Sequence, residues 1–261
     1  MAKTYGTNII NSIIGNRFNY PKSIYAVHDT IKFYVVDKPN ALIVDFFAGS
    51  GTTLHAINLI NHEDNGHRRC VLVTNNEVSA EEADSLIEQG FKPGDDEWNK
   101  LGIARHVTWP RTVCSIEGHD INGEPLNGNY LDSDRPMSDG FSANANFFKL
   151  GFLDKNSVSR GNQLEKLIPV LWMKAGAHGR CPAGIINDKY LIYPENQFAV
   201  LIDTKYASDF KAELPEGIKV AYIITDYEPE YRDIANSLHG KTTFQLYRDY
   251  LDNFAINTGR L

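Results

Sequence analysis

The sequence predicts an α/β protein: a unit built on a βαβ parallel sheet, followed by a second, smaller α/β unit. Three observations predict it. Short apolar runs bounded by turn residues (ALIVDFF at 41–47, RCVLVT at 69–74, FAVLID at 198–203, VAYIIT at 220–225) have the length and β-branched content of buried strands. Segments with apolar residues spaced by three and four lie among them. The connections between runs of the two kinds are short, which places successive strands parallel with a helix crossing over.

Taken in order, Ser23–Val36 places Ile24, Val27, Ile31 and Tyr34 at helical spacing, so it reads as an amphipathic helix. The run 41–47, bounded by Pro39-Asn40 and Gly49, reads as a buried strand. A helix from Thr52 to Leu59 and a second strand from Arg69 to Thr74 complete a βαβ unit. Residues 91–145 are rich in Gly, Asn, Asp and Pro (PGDDEWN, GHDINGEPLNGN, DSDRPMSDG) and read as a loop-rich stretch. A domain boundary near 135 follows, giving 1–135 and 136–261. In the second part, strands at 198–203 and 220–225 alternate with helices over Pro229–Leu238 and Thr243–Phe254.

Composition excludes several classes. The chain has 261 residues, 42% hydrophobic and 23% charged, which rules out a wholly disordered chain, a fibrous repeat or a small disulfide scaffold. A formal net charge of −7 argues against a free-standing, nonspecific DNA coat, because phosphate neutralisation needs clustered cations. DNA contact would then be local or made through a larger assembly. Cys70, Cys114 and Cys181 are odd in number with no Cys-x-x-Cys pair, so free thiols in a reducing compartment are expected. No leader pattern is visible and no apolar run nears the ~18 residues of a membrane span. The expectation is a cytoplasmic protein with no membrane partner.

Chemistry concentrates in Asp45-Phe46-Phe47-Ala48-Gly49-Ser50-Gly51-Thr52-Thr53. A strand ends in an acid, and a Gly-x-Gly turn feeds a helix whose free N–H groups would face a ligand. A tight βα turn with no ligand would use the same glycines. The dinucleotide fingerprint needs a third glycine, and Leu54 stands there. The phosphate-loop pattern needs a lysine after the last glycine, and Thr52 stands there. The next strand runs into Thr74-Asn75-Asn76-Glu77, so Glu77 is placed to accept hydrogen bonds from a ribose diol. Such a pocket suits an adenosine with an amino-acid tail, and S-adenosylmethionine fits.

DFFAGSGTT before a helix resembles the cofactor motif of amino-DNA methyltransferases, which make N6-methyladenine or N4-methylcytosine. The upstream GNRFNYPKS (Gly15–Ser23) resembles the segment preceding that motif in the permuted β-type enzymes. With VTNNE following, the order is most similar to modification subunits of type III and related restriction–modification systems. The likeness is close over residues 5–80. It is looser through GIARHVTWPR (102–111), NANFFKLGFLDK (144–155) and the C-terminal region. It implies part of a Rossmann-like, S-adenosylmethionine-dependent methyltransferase sheet and an adenine-N6 function. It also implies that Tyr20, Pro21, Lys22 and Ser23 lie at the methionine end, with Lys22 and Ser23 near the carboxylate. Asp45, Phe46, Phe47, Ala48, Gly49, Ser50, Gly51, Thr52 and Thr53 would form the methionine and adenosine turn, with Asn76 and Glu77 at the ribose.

The family's base-holding tetrapeptide, Asp/Asn/Ser-Pro-Pro-Tyr/Phe, has no counterpart, since the sequence contains no Pro-Pro. The expectation is therefore a C-terminal portion that is inactive alone, with no catalytic residue of its own. An N-terminal methyltransferase portion, a homodimer mate or a restriction subunit are the implied partners. The alternative is a non-catalytic split or remnant subunit serving dimerisation or DNA contact. A different α/β nucleotide-binding enzyme is the third reading.

Other constellations are weaker. The eight histidines form no metal-ligand spacing, so no metal site is expected. Asp203 and Asp226 follow apolar strands and read as capping residues rather than a metal pair. Arg105, His106, Trp109 and Arg111 interleave cations with an aromatic, which suits either a nucleic-acid contact in a loop or a packed Trp with surface arginines. The second unit is assigned to interaction, with NFFKLGFL and TTFQLYRDYLDNF as sources of apolar anchors or of core.

Overall fold

A computed structural model describes residues 6–131, 133–150, 164–183 and 188–246. The chain divides into two compact units, 1–147 and 148–261.

The first unit begins with α1 (Asn8–Ile14) and α2 (Ile24–Val35). Ser23 is the N-cap of α2, its hydroxyl accepting from the Ala26 N–H at 3.5 Å, which starts the helix one residue after the predicted position. Strand β1 (Leu42–Asp45) leads through the glycine turn into α3 (Thr52–Asp64), and β2 (Arg69–Leu72) returns parallel to β1. The register pairs Leu42 with Arg69 and Asp45 with Leu72, so both strands end side by side at the turn. The predicted βαβ unit is present, with α3 running to Asp64 rather than Leu59. Arg68 fastens the two helix ends together. Its buried guanidinium donates to the Val35 carbonyl at the end of α2 (Nη2, 2.7 Å) and to the Asp64 carboxylate (Nη2–Oδ2, 2.8 Å). The Val35 carbonyl also accepts from the Lys38 N–H at 2.9 Å, and the Arg68 contact holds the Asp64 carboxyl below its ordinary range.

Two expectations are corrected here. Part of the loop-rich stretch is helical: α4 (Ala80–Glu88) precedes α5 (Asp96–Leu101), a π-helical turn (Ala104–Thr108) and α6 (Trp109–Glu117). Its turn-forming residues serve as helix boundaries, with Asp95 before α5 and Gly118 after α6 in the left-handed conformation at φ 78°. Val107 and Cys114 join α1, α2 and α3 in one core with Leu126, Tyr130, Met137 and Phe141. The second correction concerns Thr243, predicted to open a helix.

That residue lies in β6 (Thr242–Leu246), the last strand of a sheet in the second unit. TTFQL supplies two β-branched residues and an aromatic, and it pairs in parallel with β5, which outweighs a helical reading of its spacing. The rest of the predicted helix lies outside the described residues. The unit contains α7 (Leu164–Lys174), β3 (Tyr190–Tyr193), β4 (Phe198–Leu201), α8 (Ala207–Glu213), β5 (Val220–Ile224) and α9 (Glu228–Ser237). Strand order is β3-β4-β5-β6, with β3 antiparallel at one edge and the others parallel. Phe198, Val200 and Tyr222 enter one apolar cluster, and Ala199, Leu201, Ala221 and Ile223 enter another on the opposite face. Phe244, from the second aromatic-rich stretch, stacks on Tyr222 inside that core. Among the described residues no helix is long and apolar enough to cross a membrane.

Candidate functional site: the glycine turn of the first unit

The turn is held from its own ends. Asp45 Oδ1 accepts from the Phe47 N–H at 3.0 Å and Oδ2 from the Thr53 hydroxyl at 2.6 Å, so one carboxylate clasps both limbs of the loop. The Ala48 N–H donates to the Val73 carbonyl at 3.2 Å, tying the turn to the end of β2. The Gly51 N–H closes it on the Ala48 carbonyl at 2.8 Å. Gly51 has φ 77° and precedes the first residue of α3, a conformation that disfavours any side chain. A Cβ at Gly51 would lie 3.2 Å from Thr108 Cγ2, whereas one at Gly49 would meet only the Phe47 carbonyl at 3.8 Å. The turn is thus packed against the protein at Gly51 and open to approach at Gly49.

Phe46 and Phe47 are exposed, Phe47 by 93%. An aromatic face left in water beside an open backbone can stack on a planar ring. Ala48, Ser50 and Thr52 are buried, so they shape the turn from within. Behind the turn, burial and then the Asp45 charge push the Cys70 thiol up to about 12, leaving it an unreactive neutral group.

In the irregular segment after β2, Glu77 is exposed and its Oε1 accepts from Asn75 Nδ2 at 2.5 Å, leaving carboxylate lone pairs facing solvent. Asn76 does something else. Its amide donates to the Asn99 carbonyl at 2.7 Å, and its oxygen accepts from the Arg105 N–H at 3.2 Å, so it anchors the approach to α6. A Cβ at Gly102 would collide with that amide at 2.2 Å.

The Tyr20–Ser23 turn is arranged separately. Pro21 is buried, Tyr20 and Lys22 are exposed, and Ser23 caps α2. No hydrogen bond among the described residues joins these four to the glycine turn.

The Arg105–Arg111 cluster is not a loop. It forms the π turn and the start of α6, and Arg111 is only 2% exposed, which removes it from any nucleic-acid surface. Pro110 supplies a local reason for the irregular turn, since it has no N–H to give the helix ladder. The His106 carbonyl accepts from Arg17 Nη1 at 3.2 Å instead. Arg105 lies over the Phe147 ring, which also meets Trp109.

His55, on α3, is buried against Tyr130 and Phe141, with Nε2 2.9 Å from the Tyr130 hydroxyl. Burial, and then the Arg111 charge, hold it well below the usual histidine range, so it is neutral at physiological pH. Among the described residues no group of three His, Cys, Asp or Glu side chains could hold a metal ion.

No protein-family model matches the chain. Over 71 residues it is 44% identical to the Type II methyltransferase M.KpnI of Klebsiella pneumoniae, a match covering 27% of this chain and 16% of that protein. It is 35% identical over 77 residues to the Type III restriction-modification enzyme EcoPI Mod subunit of Escherichia phage P1 (30% and 12% of the two chains). It is 44% identical over 59 residues to the StyLTI Mod subunit of Salmonella typhimurium (23% and 9%). The matches span less than a fifth of each of these relatives. Over about a quarter of its length, the chain is similar to methyltransferases of restriction–modification systems.

Proposed function

We propose that the first unit binds S-adenosylmethionine at the glycine turn and supplies the cofactor-binding part of an adenine-N6 DNA methyltransferase of the restriction–modification type. The observation that carries this reading is the turn itself. A strand-end acid clasps the loop, Gly51 sits at positive φ, the backbone is open at Gly49, and an exposed carboxylate stands in the segment after β2. These residues fit such a cofactor. Phe47 offers an aromatic face, Glu77 offers acceptors for a ribose diol, and Lys22 offers a cation for a carboxylate tail. Bound there, the cofactor would supply an activated methyl group.

The chain's own residues bind and orient. Nothing among them reproduces the tetrapeptide that would hold the amine of a flipped base, since no Pro-Pro occurs. In this reading another polypeptide segment holds the base and the DNA. The uncovered side of the first sheet suits that partnership. Leu42 and Val44 of β1, with Val71 and Val73 at β2, are exposed side by side, whereas parallel strands are normally covered on both faces.

Titration calorimetry with S-adenosylhomocysteine tests the site. The chain should bind it, Gly51→Val should abolish binding, and Glu77→Gln, an exposed change that leaves the fold alone, should weaken it about tenfold. Undiminished affinity in both variants removes the assignment. Transfer of labelled methyl groups to DNA by the purified chain alone would overturn the division of labour.

A further inference from the structure

Behind the glycine turn lies a guanidinium that the proposed cofactor contacts do not use. Arg111 is among the largest fully buried side chains in the protein. Its Nη1 donates towards three oxygens of the turn: the Ser50 carbonyl at 3.2 Å, the Ser50 hydroxyl at 2.9 Å and the Thr52 hydroxyl at 2.8 Å. Its Nε has no hydrogen-bond partner, and no carboxylate forms an ion pair with it among the described residues. Burial lowers its pKa to about 10, so it remains charged at neutral pH.

A buried cation without a counter-charge is a poor way to stabilise a core, and an apolar side chain of similar size often does better. What an apolar side chain cannot do is hold several oxygens in one arrangement. Arg111 does not act alone, because the Thr108 hydroxyl reaches the Gly49 carbonyl at 2.6 Å from the same helical segment. Gly49, Ser50 and Thr52 are therefore held from the inside by hydrogen bonds, and Phe46 and Phe47 are left exposed. The π turn before α6 places Thr108 beside Gly51, where a Cβ would come within 3.2 Å of Thr108 Cγ2.

We infer that Arg111 is a positioning residue of the glycine turn: from the inner side it sets the Gly49–Thr52 backbone in the shape that receives the ligand, with Thr108 as a second anchor. The ligand half of this statement rests on the cofactor reading above. The ordering of the turn by a buried guanidinium is testable without any ligand.

The experiment compares amide hydrogen exchange and S-adenosylhomocysteine titration in the full chain, in Arg111→Met and in Arg111→Lys. The bonded amides of Ala48 and Gly51 report the turn, and those of Arg69 and Val73 report the β1–β2 pairing. In Arg111→Met the turn amides should exchange at least about tenfold faster while the pairing amides keep their rates, and affinity should fall by a similar factor. Arg111→Lys, which keeps the charge and part of the hydrogen bonding, should fall between. If Arg111→Met fails to fold, the lysine variant carries the comparison by itself. Turn and pairing amides accelerating together would show an ordinary strut of the fold and overturn the inference, as would unchanged exchange in the turn. If the unaltered chain does not bind the ligand, the cofactor reading fails, and the exchange rates alone decide the role of Arg111.

Discussion

The two sheets of this chain are made from similar segments and end in different surroundings. In the second unit, β4 buries all four of its residues and β5 the middle three, because successive side chains enter two separate apolar clusters. In the first unit, Ile43 and Cys70 are half-buried, on the side where Asp45 meets Thr53 of α3. Leu42, Val44, Val71 and Val73, on the other side, stand in water. Composition does not separate the two, since ALIVDFF is as apolar as FAVLID. The number of layers does. An apolar strand records the burial that a three-layer sheet would provide, and among the described residues only the second unit provides both outer layers itself. In the first unit the glycine turn lies at the ends of β1 and β2, beside that exposed face.

The strongest test of this contrast compares truncations. Phe198→Ala should cost about 3–5 kcal/mol of second-unit stability, because the ring is fully buried between Tyr193 and Tyr222. Val44→Ala should cost under about 0.5 kcal/mol in the first unit, as expected of an exposed site. Urea unfolding followed at Trp172 for the second unit, and by exchange of the β1–β2 amides for the first, measures both. Equal costs would break the comparison.

The first unit should also carry a pH dependence of its own. His55 is neutral in the folded state with a lowered pKa, whereas in the unfolded chain it titrates near the ordinary histidine value of about 6.5. Below that pH the unfolded state binds the extra proton, so stability falls as pH drops, by up to about 1.4 kcal/mol per pH unit. Unfolding between pH 7.5 and 5 should show that slope, and His55→Gln should flatten it. A slope that survives the substitution would assign the proton to another group.

A small effect sharpens the picture of the second core. The Tyr222 hydroxyl donates to the Leu171 carbonyl at 2.8 Å, and that carbonyl also accepts from the Ala175 N–H. Tyr222→Phe should therefore cost only about 1 kcal/mol, since it leaves no orphaned acceptor. A loss above about 3 kcal/mol would show that the hydroxyl orders α7 as well as bonding to it.

The geometry of the glycine turn is legible in the sequence. Asp45, Gly49 and Gly51 announce a strand-end acid and a turn that only glycine tolerates at φ 77°, and both signals are local. Asn76 and Arg111 were not legible in the same way. An asparagine beside Glu77 reads as part of the same ligand edge, yet its amide is spent on the backbone at Asn99 and Arg105. An arginine in a run of cations reads as solvated, yet Arg111 is buried against oxygens some sixty positions away in sequence. The run Thr243–Phe254 reads as a helix, yet its first residues pair with β5, and spacing does not separate helix from strand until a neighbouring strand is present to pair with.

The sequence by itself determined the alternation of strand and helix, the parallel pairing of β1 and β2, and the position of the glycine turn. Those follow from interactions within a few residues: apolar runs, glycine conformational freedom and helix capping. Tertiary structure alone decided that Arg111 grips the turn from behind, that Asn76 serves α6, and that one face of the first sheet stays open. These depend on which distant segments share a volume, and hydrogen bonding and burial at a distance leave no periodic mark on the chain.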